Sequence, residues 1–373
     1  MKRISILFSF CIMFFIQYTF AQNSDKITRV LEYKPALGQH INRLFPTPAF
    51  SDTPENALLF ASNCLIGNKS MLGLGAYGGY VVVGFDHSIV NVPDEYDFKA
   101  LGNAASGGAE PGIVMVCQDL NKNGLPDADE PWYELAGSDY NHSQTIHNYE
   151  IKYYRPKPDK QKSNIVWKDN QGNNGVVTHI TYASQSTMYP LWVSDDSIVF
   201  KGTRLRSTVV NNNGTFTLPA FDWGYVDNNA NNSANDKISF KIDWAVEETG
   251  KSVNLKYIDF VKIYTAQVQE AGWLGETSTE FAGILDLHPQ ASVVTELNKN
   301  TPSNSVNISP VVVNNFIEVN SSIVQDIKVY NLMGNTILST QLQAGKNHFE
   351  TANYPSGVYI IKVRDSTQKI IKN

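Results

Sequence analysis

The stretch Asp119-Leu-Asn-Lys-Asn-Gly-Leu-Pro-Asp-Ala-Asp-Glu130 carries side-chain oxygens at positions 1, 3, 5, 9 and 12 and a glycine at position 6. That is the ligand register of a calcium loop, because Ca2+ takes roughly six to eight oxygens in flexible geometry. Asp119, Asn121, Asn123, Asp127 and Glu130 supply side-chain oxygens, the carbonyl of Leu125 falls at position 7, and Gly124 permits the sharp turn. Asp129 is a spare carboxylate. The spacing predicts a structural Ca2+ that neutralises clustered carboxylates and stiffens a long connection. A solvated Asn-Gly turn is the plainer reading of the same residues. A weak site of this kind suits the extracellular side, where calcium is abundant.

Other polar groups carry weaker signals. Asp227-Asn-Asn-Ala-Asn-Asn-Ser-Ala-Asn-Asp236 alternates oxygens at 227, 229 and 231, but it lacks a glycine at position 6 and has Ile238 at position 12. It reads better as a disordered, Asn-rich surface loop. Asp139, His142 and His147 lack an identifiable further ligand, and Asp86-His87 reads as a hydrogen-bonded strand end rather than an acid–base pair. Asp243 and Asp259 fall inside strand-like runs and face either solvent or an ion. Trp132, Trp192, Trp223, Tyr225 and Trp273 lie near polar loops. They are candidates for stacking on a flat ligand or sugar ring, against the commoner role of core residues and loop anchors. Glycoside hydrolysis needs two carboxylates about 5–10 Å apart across a cleft. Glu95, Asp97, Glu110, Glu134, Glu247, Glu276 and Glu280 are available, and no spacing selects a pair. No GxGxxG, P-loop, GxSxG or HExxH motif is present.

The elements that must position these residues read as strands. Tyr80-Val-Val-Val-Gly-Phe85, Ile113-Val-Met-Val116, Tyr149 to Tyr154, Lys237 to Trp244 and Leu255 to Tyr264 are apolar or alternating runs punctuated by Gly, Asn and Asp. One short helix is expected over Ala57 to Asn63. The pattern predicts an all-β main domain, a jelly-roll-like β-sandwich, over residues 22–292. No propeller or solenoid period is found.

The N-terminus begins Met1-Lys2-Arg3, is apolar from Ile4 to Ile16, and reads Thr19-Phe20-Ala21-Gln22. These are the parts of a secretory signal peptide cleaved after Ala21, so the chain is expected to be exported through the Sec pathway with residues 1–21 removed. The apolar run is shorter than the roughly 20 residues of a membrane span, and no other segment could span a bilayer. Cleavage removes Lys2 and Arg3, leaving 28 basic against 36 acidic residues and a formal charge of −8, which does not attract nucleic acid. Cys64 and Cys117 would remain, either paired or as two buried thiols.

Residues 293–309 are polar and rich in Pro, Asn and Ser, as linkers are. Residues 310–373 then alternate, with runs Phe316 to Val319, Asp326 to Tyr330, Asn335 to Leu338 and Gly357 to Val363 separated by Met333-Gly334, Ala344-Gly345 and Pro355-Ser-Gly357. This predicts a small Ig-like β-sandwich. Tyr330-Asn-Leu-Met-Gly334, Gly345, Tyr354-Pro-Ser-Gly-Val-Tyr-Ile-Ile-Lys-Val363 and Lys369-Ile-Ile-Lys-Asn373 resemble the C-terminal sorting domain of the type IX secretion system of Bacteroidota. The family often opens on Asn-Pro; here Ile308-Ser-Pro310 stands instead, which leaves the first strand open. The resemblance implies a partnership with the type IX machinery, export across the outer membrane, removal of this domain, and release or surface attachment.

Gly78 to Ser88, Glu110-Pro-Gly-Ile-Val114, Asp119 to Asp127 with Trp132 to Gly137, Tyr153-Tyr-Arg-Pro156, Trp223-Gly-Tyr225, Asp243-Trp244 and Gly272 to Glu280 are similar to a class of large Bacteroidota cell-surface proteins. Some of these accompany outer-membrane receptors for cobalamin-like nutrients, and no catalytic residues come with the resemblance. The expectation is therefore a non-catalytic, exported, calcium-stabilised binding protein for a glycan or a small nutrient such as a corrinoid. A polysaccharide hydrolase and a structural or adhesive surface component are the alternatives.

Overall fold

The computed structural model describes residues 22–42, 53–180, 187–292, 306–309, 312–313, 315–363 and 366–372. Residues 1–21, read above as a signal peptide, and residues 293–305 of the expected linker lie outside them. The chain is all-β and divides into two compact units, Met1–Val293 and Val294–Asn373.

The first unit is built on a six-stranded sheet. Strand Tyr257–Thr265 lies between Tyr80–Val90 and Gly112–Cys117, antiparallel to both. Arg29–Lys34 closes one side; Tyr133–Leu135 and Ala245–Val246 close the other. Alternation along an extended chain sends successive side chains to opposite faces. Val81, Val83 and Phe85 therefore enter the main core with Val114, Val116, Val261 and Ile263, while Val82 joins Cys117 and Phe260 on the other face. Opposite this sheet, Phe98–Leu101 pairs with Ser239–Phe240 and Gly283–Asp286, and Phe98, Ala100, Phe240 and Ile284 complete the same core. The arrangement is sandwich-like. Each large apolar side chain removed from water in it contributes about 1.5–3 kcal/mol.

Helix Pro54–Leu65 packs on this core through Ala61, Cys64 and Leu65, with Ala57 buried on the same face at helical spacing. Thr53 caps it by accepting the Asn56 N–H at 3.3 Å, and Pro54 occupies the first helical position. A second core lies under the four-stranded sheet of Ser197–Arg204, Ile146–Tyr154, Ile165–Asp169 and Asn174–Val177. There Tyr149, Ile151 and Tyr153 face inward and Glu150 and Lys152 face water. Cys64 and Cys117 are both buried and are not joined by a disulfide.

One expected strand does not form. Lys237 to Trp244 folds as the end of helix Asn235–Ile238, a two-residue strand, and a 3-10 turn at Ile242–Trp244. Its alternation is genuine, since Ile238, Phe240 and Ile242 are all buried. But the Ile242 N–H donates to the buried carboxylate of Asp97 at 2.6 Å rather than to a neighbouring strand. A carboxylate can satisfy a buried backbone donor as well as a ladder does.

The second unit packs a three-stranded sheet, Val306–Ser309, Phe316–Ser321 and Gly345–Glu350, with a five-stranded sheet. Ile317, Val319, Ile327, Val329, Ile361 and Val363 form its core. Its opening strand is Val306–Ser309, paired with Phe316–Ser321, so the stretch read as linker ends earlier than its composition suggested. Among the described residues, no helix is long and apolar enough to cross a membrane.

Candidate functional site

The Asp119–Glu130 loop connects strand Gly112–Cys117 to Tyr133–Leu135, which pair through Met115 with Glu134 and Val116 with Tyr133. It is thus the tip of an antiparallel hairpin and needs no flanking helices. Its side chains fold inward upon their own backbone. Asp119 accepts N–H groups from Asn123 at 3.0 Å and Gly124 at 2.7 Å, and Asn123 Oδ1 accepts from Leu125 at 2.8 Å. Glu130, only 5% exposed, reaches back to the N–H groups of Leu120 at 2.6 Å and Asp127 at 3.0 Å. Gly124 adopts φ +83°, where a side chain would be strained. Asp259 braces the loop by accepting the Asp119 N–H at 2.7 Å while Ser88 donates to its other oxygen. Arg29 bonds the Gly124 carbonyl at 2.9 Å. Burial pushes the neighbouring Cys117 thiol up to about 12, assisted by Glu130, Asp259 and Asp119.

The donor set suits a hard cation, since oxygens line a curled chain. The amides of Asn121 and Asn123, however, both donate to Asp127 Oδ2, at 2.7 and 2.6 Å. An ion here requires those amides to turn their oxygens inward and release Asp127.

The five aromatic candidates do not form one face. Tyr225 is buried in the second core, packs on Phe221, and accepts the Asp139 N–H with its hydroxyl. Trp223 packs on Trp244 with ring centres 4.5 Å apart. Trp132 rests against Val82, Cys117 and Phe260. Trp273 is 64% exposed on the turn Gly272–Leu274, and Trp192 lies 6.2 Å from the ring of Tyr33. Asp139, His142 and His147 also stay apart. Asp139 pairs with Arg206, and His147 contacts the Thr203 hydroxyl. His87 bridges Asp86 and Asp286, 2.7 Å from each.

Sequence spacing did not single out a third feature, an acidic cavity of about 280 Å³. Its walls include Tyr33, Phe60, Glu110, Glu276, Ser278 and Glu280. Two pieces of extended backbone build it. In the first, Gly112 and Val226 exchange both backbone hydrogen bonds and the Glu110 N–H donates to the Asp227 carbonyl, so residues 110 and 227 arrive side by side. In the second, Glu276-Thr-Ser-Thr-Glu280 runs extended. Period-two alternation turns Glu276, Ser278 and Glu280 into the cavity, while Thr279 turns away to bond the Glu110 carbonyl at 2.9 Å. That E-x-S-x-E alternation was a legible sign. Asp227, at φ +55°, joins the two pieces: Oδ1 accepts from Asn103 and Ala104, both at 2.7 Å, and Oδ2 accepts from Glu280 at 2.9 Å. The start of the Asn-rich loop is therefore a buried strut, not surface coil. Asp227 and Asn228 are 3% and 1% exposed.

Ligand oxygens of Glu110, Asp227 and Glu280 lie within 4.8 Å of one another. The carboxyls of Glu110 and Glu280 adjoin, and Glu110 Oε1 accepts the Ser278 N–H at 3.4 Å. Burial raises the pKa of all three, and the charges of Glu110 and Asp227 raise Glu280 further. Burial also lifts Glu276 to about 8. Of its two oxygens, Oε1 accepts the Gln39 N–H at 2.6 Å, while Oε2 is buried with no partner. Such an arrangement can receive a hydrogen-bond donor or a cation.

Residues 297–373 match the family model of a secretion system C-terminal sorting domain. No curated relative matches the chain. Among solved structures, native alpha-2-macroglobulin from Escherichia coli aligns at 10% identity over 81% of this chain and 95% of that one, with a TM-score of 0.14. A β-glucuronidase from Faecalibacterium prausnitzii aligns at 8% identity over 75% and 47%, with a TM-score of 0.15. Scores this low carry no argument about either fold or activity.

Proposed function

We propose that this chain, which carries a type IX sorting domain and is thereby directed to the cell surface or secreted, is a non-catalytic binding protein whose ligand enters the cavity beside Tyr33 and Phe60. One observation carries the reading: an aromatic wall and a set of convergent carboxyl groups meet at a single concavity, which is how small-ligand sites are built. A volume of about 280 Å³ is at the small end for such sites, which typically span about 300–1,000 Å³. It favours a sugar unit or small polar nutrient over a corrinoid macrocycle. The Asp119–Glu130 loop serves as a Ca2+-stabilised hairpin tip, apart from ligand recognition.

Hydrolysis is the weaker reading. Acid–base cleavage of a glycoside needs two carboxyls held about 5 Å or more apart with the bond between them. Ligand oxygens of Glu110 and Glu280 instead lie within 4.8 Å of each other, with Asp227 equally near, which leaves no room for a glycosidic bond between them.

The test is thermal unfolding of the full chain in chelator, in Ca2+, and in Ca2+ with a panel of monosaccharides, oligosaccharides and corrinoids. A ligand that binds the folded state alone raises the midpoint by mass action. A further rise with one panel member, lost in Tyr33→Ala, supports the reading. A flat panel together with release of reducing sugar from any member would replace it with the hydrolase.

A further inference from the structure

We propose that Glu110, Asp227 and Glu280 form a divalent-cation site in the cavity wall, separate from the Asp119–Glu130 loop, with Ca2+ as its ion. Three observations meet there. Ligand oxygens of the three acids lie within 4.8 Å of one another, a spread that a single ion with arms of about 2.3–2.6 Å can serve. Glu276 lines the same cavity and is only 4% exposed, yet its Oε2 has no partner. Leaving a buried acceptor unmet costs about 1–3 kcal/mol, so this oxygen points to an occupant that supplies positive charge or a donor. Among the described residues, no lysine or arginine pairs with any of the four acids. Buried carboxylates are normally paired or coordinate metals.

An organic ammonium would answer the charge as well, but it favours acids spread around its hydrogens. Acids gathered at one ion's radius favour a metal, with water in the remaining positions. Asp227 is fixed for the role by the three backbone N–H groups it accepts, so the site is held by strand ends rather than by a flexible side chain. The sites are independent in construction. The loop is one contiguous turn, whereas the cavity gathers residues from 110 to 280.

The inference does not rest on the ligand reading and is tested without any ligand. The full chain, stripped by chelator, is titrated with CaCl2 by calorimetry as wild type, Glu280→Gln, Glu110→Gln and Asp119→Ala. The expected result is two ions for wild type. Glu280→Gln and Asp119→Ala each lose a different one, with at least a tenfold loss of affinity at the altered site. Because Gln has the shape and hydrogen-bonding capacity of a protonated Glu, Glu280→Gln should melt with wild type in chelator. Should it fail to fold, Glu110→Gln is read in its place. A single ion lost in Glu280→Gln also upholds the site. It is overturned by an isotherm that neither glutamine variant changes, by a single ion lost in Asp119→Ala, or by binding of methylammonium but not Ca2+.

Discussion

Asp227 Oδ2 accepts the backbone N–H of Glu280 at 2.9 Å, across fifty-three residues of sequence. With Oδ1 holding Asn103 and Ala104, one buried carboxylate fixes three chain segments around the cavity. Its removal should be felt globally. Asp227→Ala strands those N–H groups and is expected to cost about 2–4 kcal/mol in denaturant unfolding. Asp227→Asn should cost less, because Asn keeps one acceptor and tolerates the positive φ. Equal losses for the two variants would mean that the strut is not what matters.

The hairpin tip predicts a calcium-linked stability. Wild type should melt higher in Ca2+ than in chelator, and Asp119→Ala and Glu130→Ala should each lose the part of that rise supplied by the loop. Glu130→Ala should also lower the melting temperature in chelator. Its carboxylate accepts the N–H groups of Leu120 and Asp127 without any ion, at a worth of about 1–2 kcal/mol. A full calcium-dependent rise in both variants would remove the loop assignment.

Glu134 predicts a pH dependence of definite sign. Burial lifts its carboxyl from 4.5 to about 7, opposed by a hydrogen bond from Thr203. Tyr77, Tyr140, Tyr225 and Tyr264 surround it, and His147 contacts the same Thr203 hydroxyl. Between those two pH values the folded state keeps a proton that the unfolded state has released. Stability therefore falls as pH rises, by up to about 1.4 kcal/mol per pH unit, and the slope ends above pH 7. Asp97, lifted to about 6, and Glu276, lifted to about 8, act in the same direction, so the wild-type slope alone is not diagnostic. Denaturant midpoints in chelator from pH 5 to 8 should show a shallower fall for Glu134→Gln than for wild type. Parallel curves would exclude Glu134 as a source.

The two cysteines predict slow thiol chemistry. Both are buried, and burial raises both, Cys64 to about 11 and Cys117 to about 12. The reactive thiolate is therefore scarce. A maleimide should label neither in the native chain and both after unfolding without reductant. A non-reduced mass two hydrogens lower would show a disulfide instead.

What the sequence determined by itself is what short stretches encode. The twelve-residue register at Asp119 to Glu130, the alternation of Tyr149 to Tyr154 and the turn-separated strands of the sorting domain are patterns between near neighbours, so spacing makes them legible. The same logic misread Lys237 to Trp244. There the inward alternation was right, but the hydrogen-bond partner was Asp97, which lies far away in sequence. It also scattered the tryptophans' prospects, because nearness to a polar loop does not say which core a ring will join. The acidic cavity was decided only by tertiary structure. Glu276-Thr-Ser-Thr-Glu280 encodes which side chains share a face, but not that the face meets Glu110 and Asp227. That meeting depends on the Gly112–Val226 pairing and on a buried carboxylate accepting three N–H groups from two distant backbone segments. Such contacts close loops of more than fifty residues. Their selection rests on the packing of the whole core and not on any local preference.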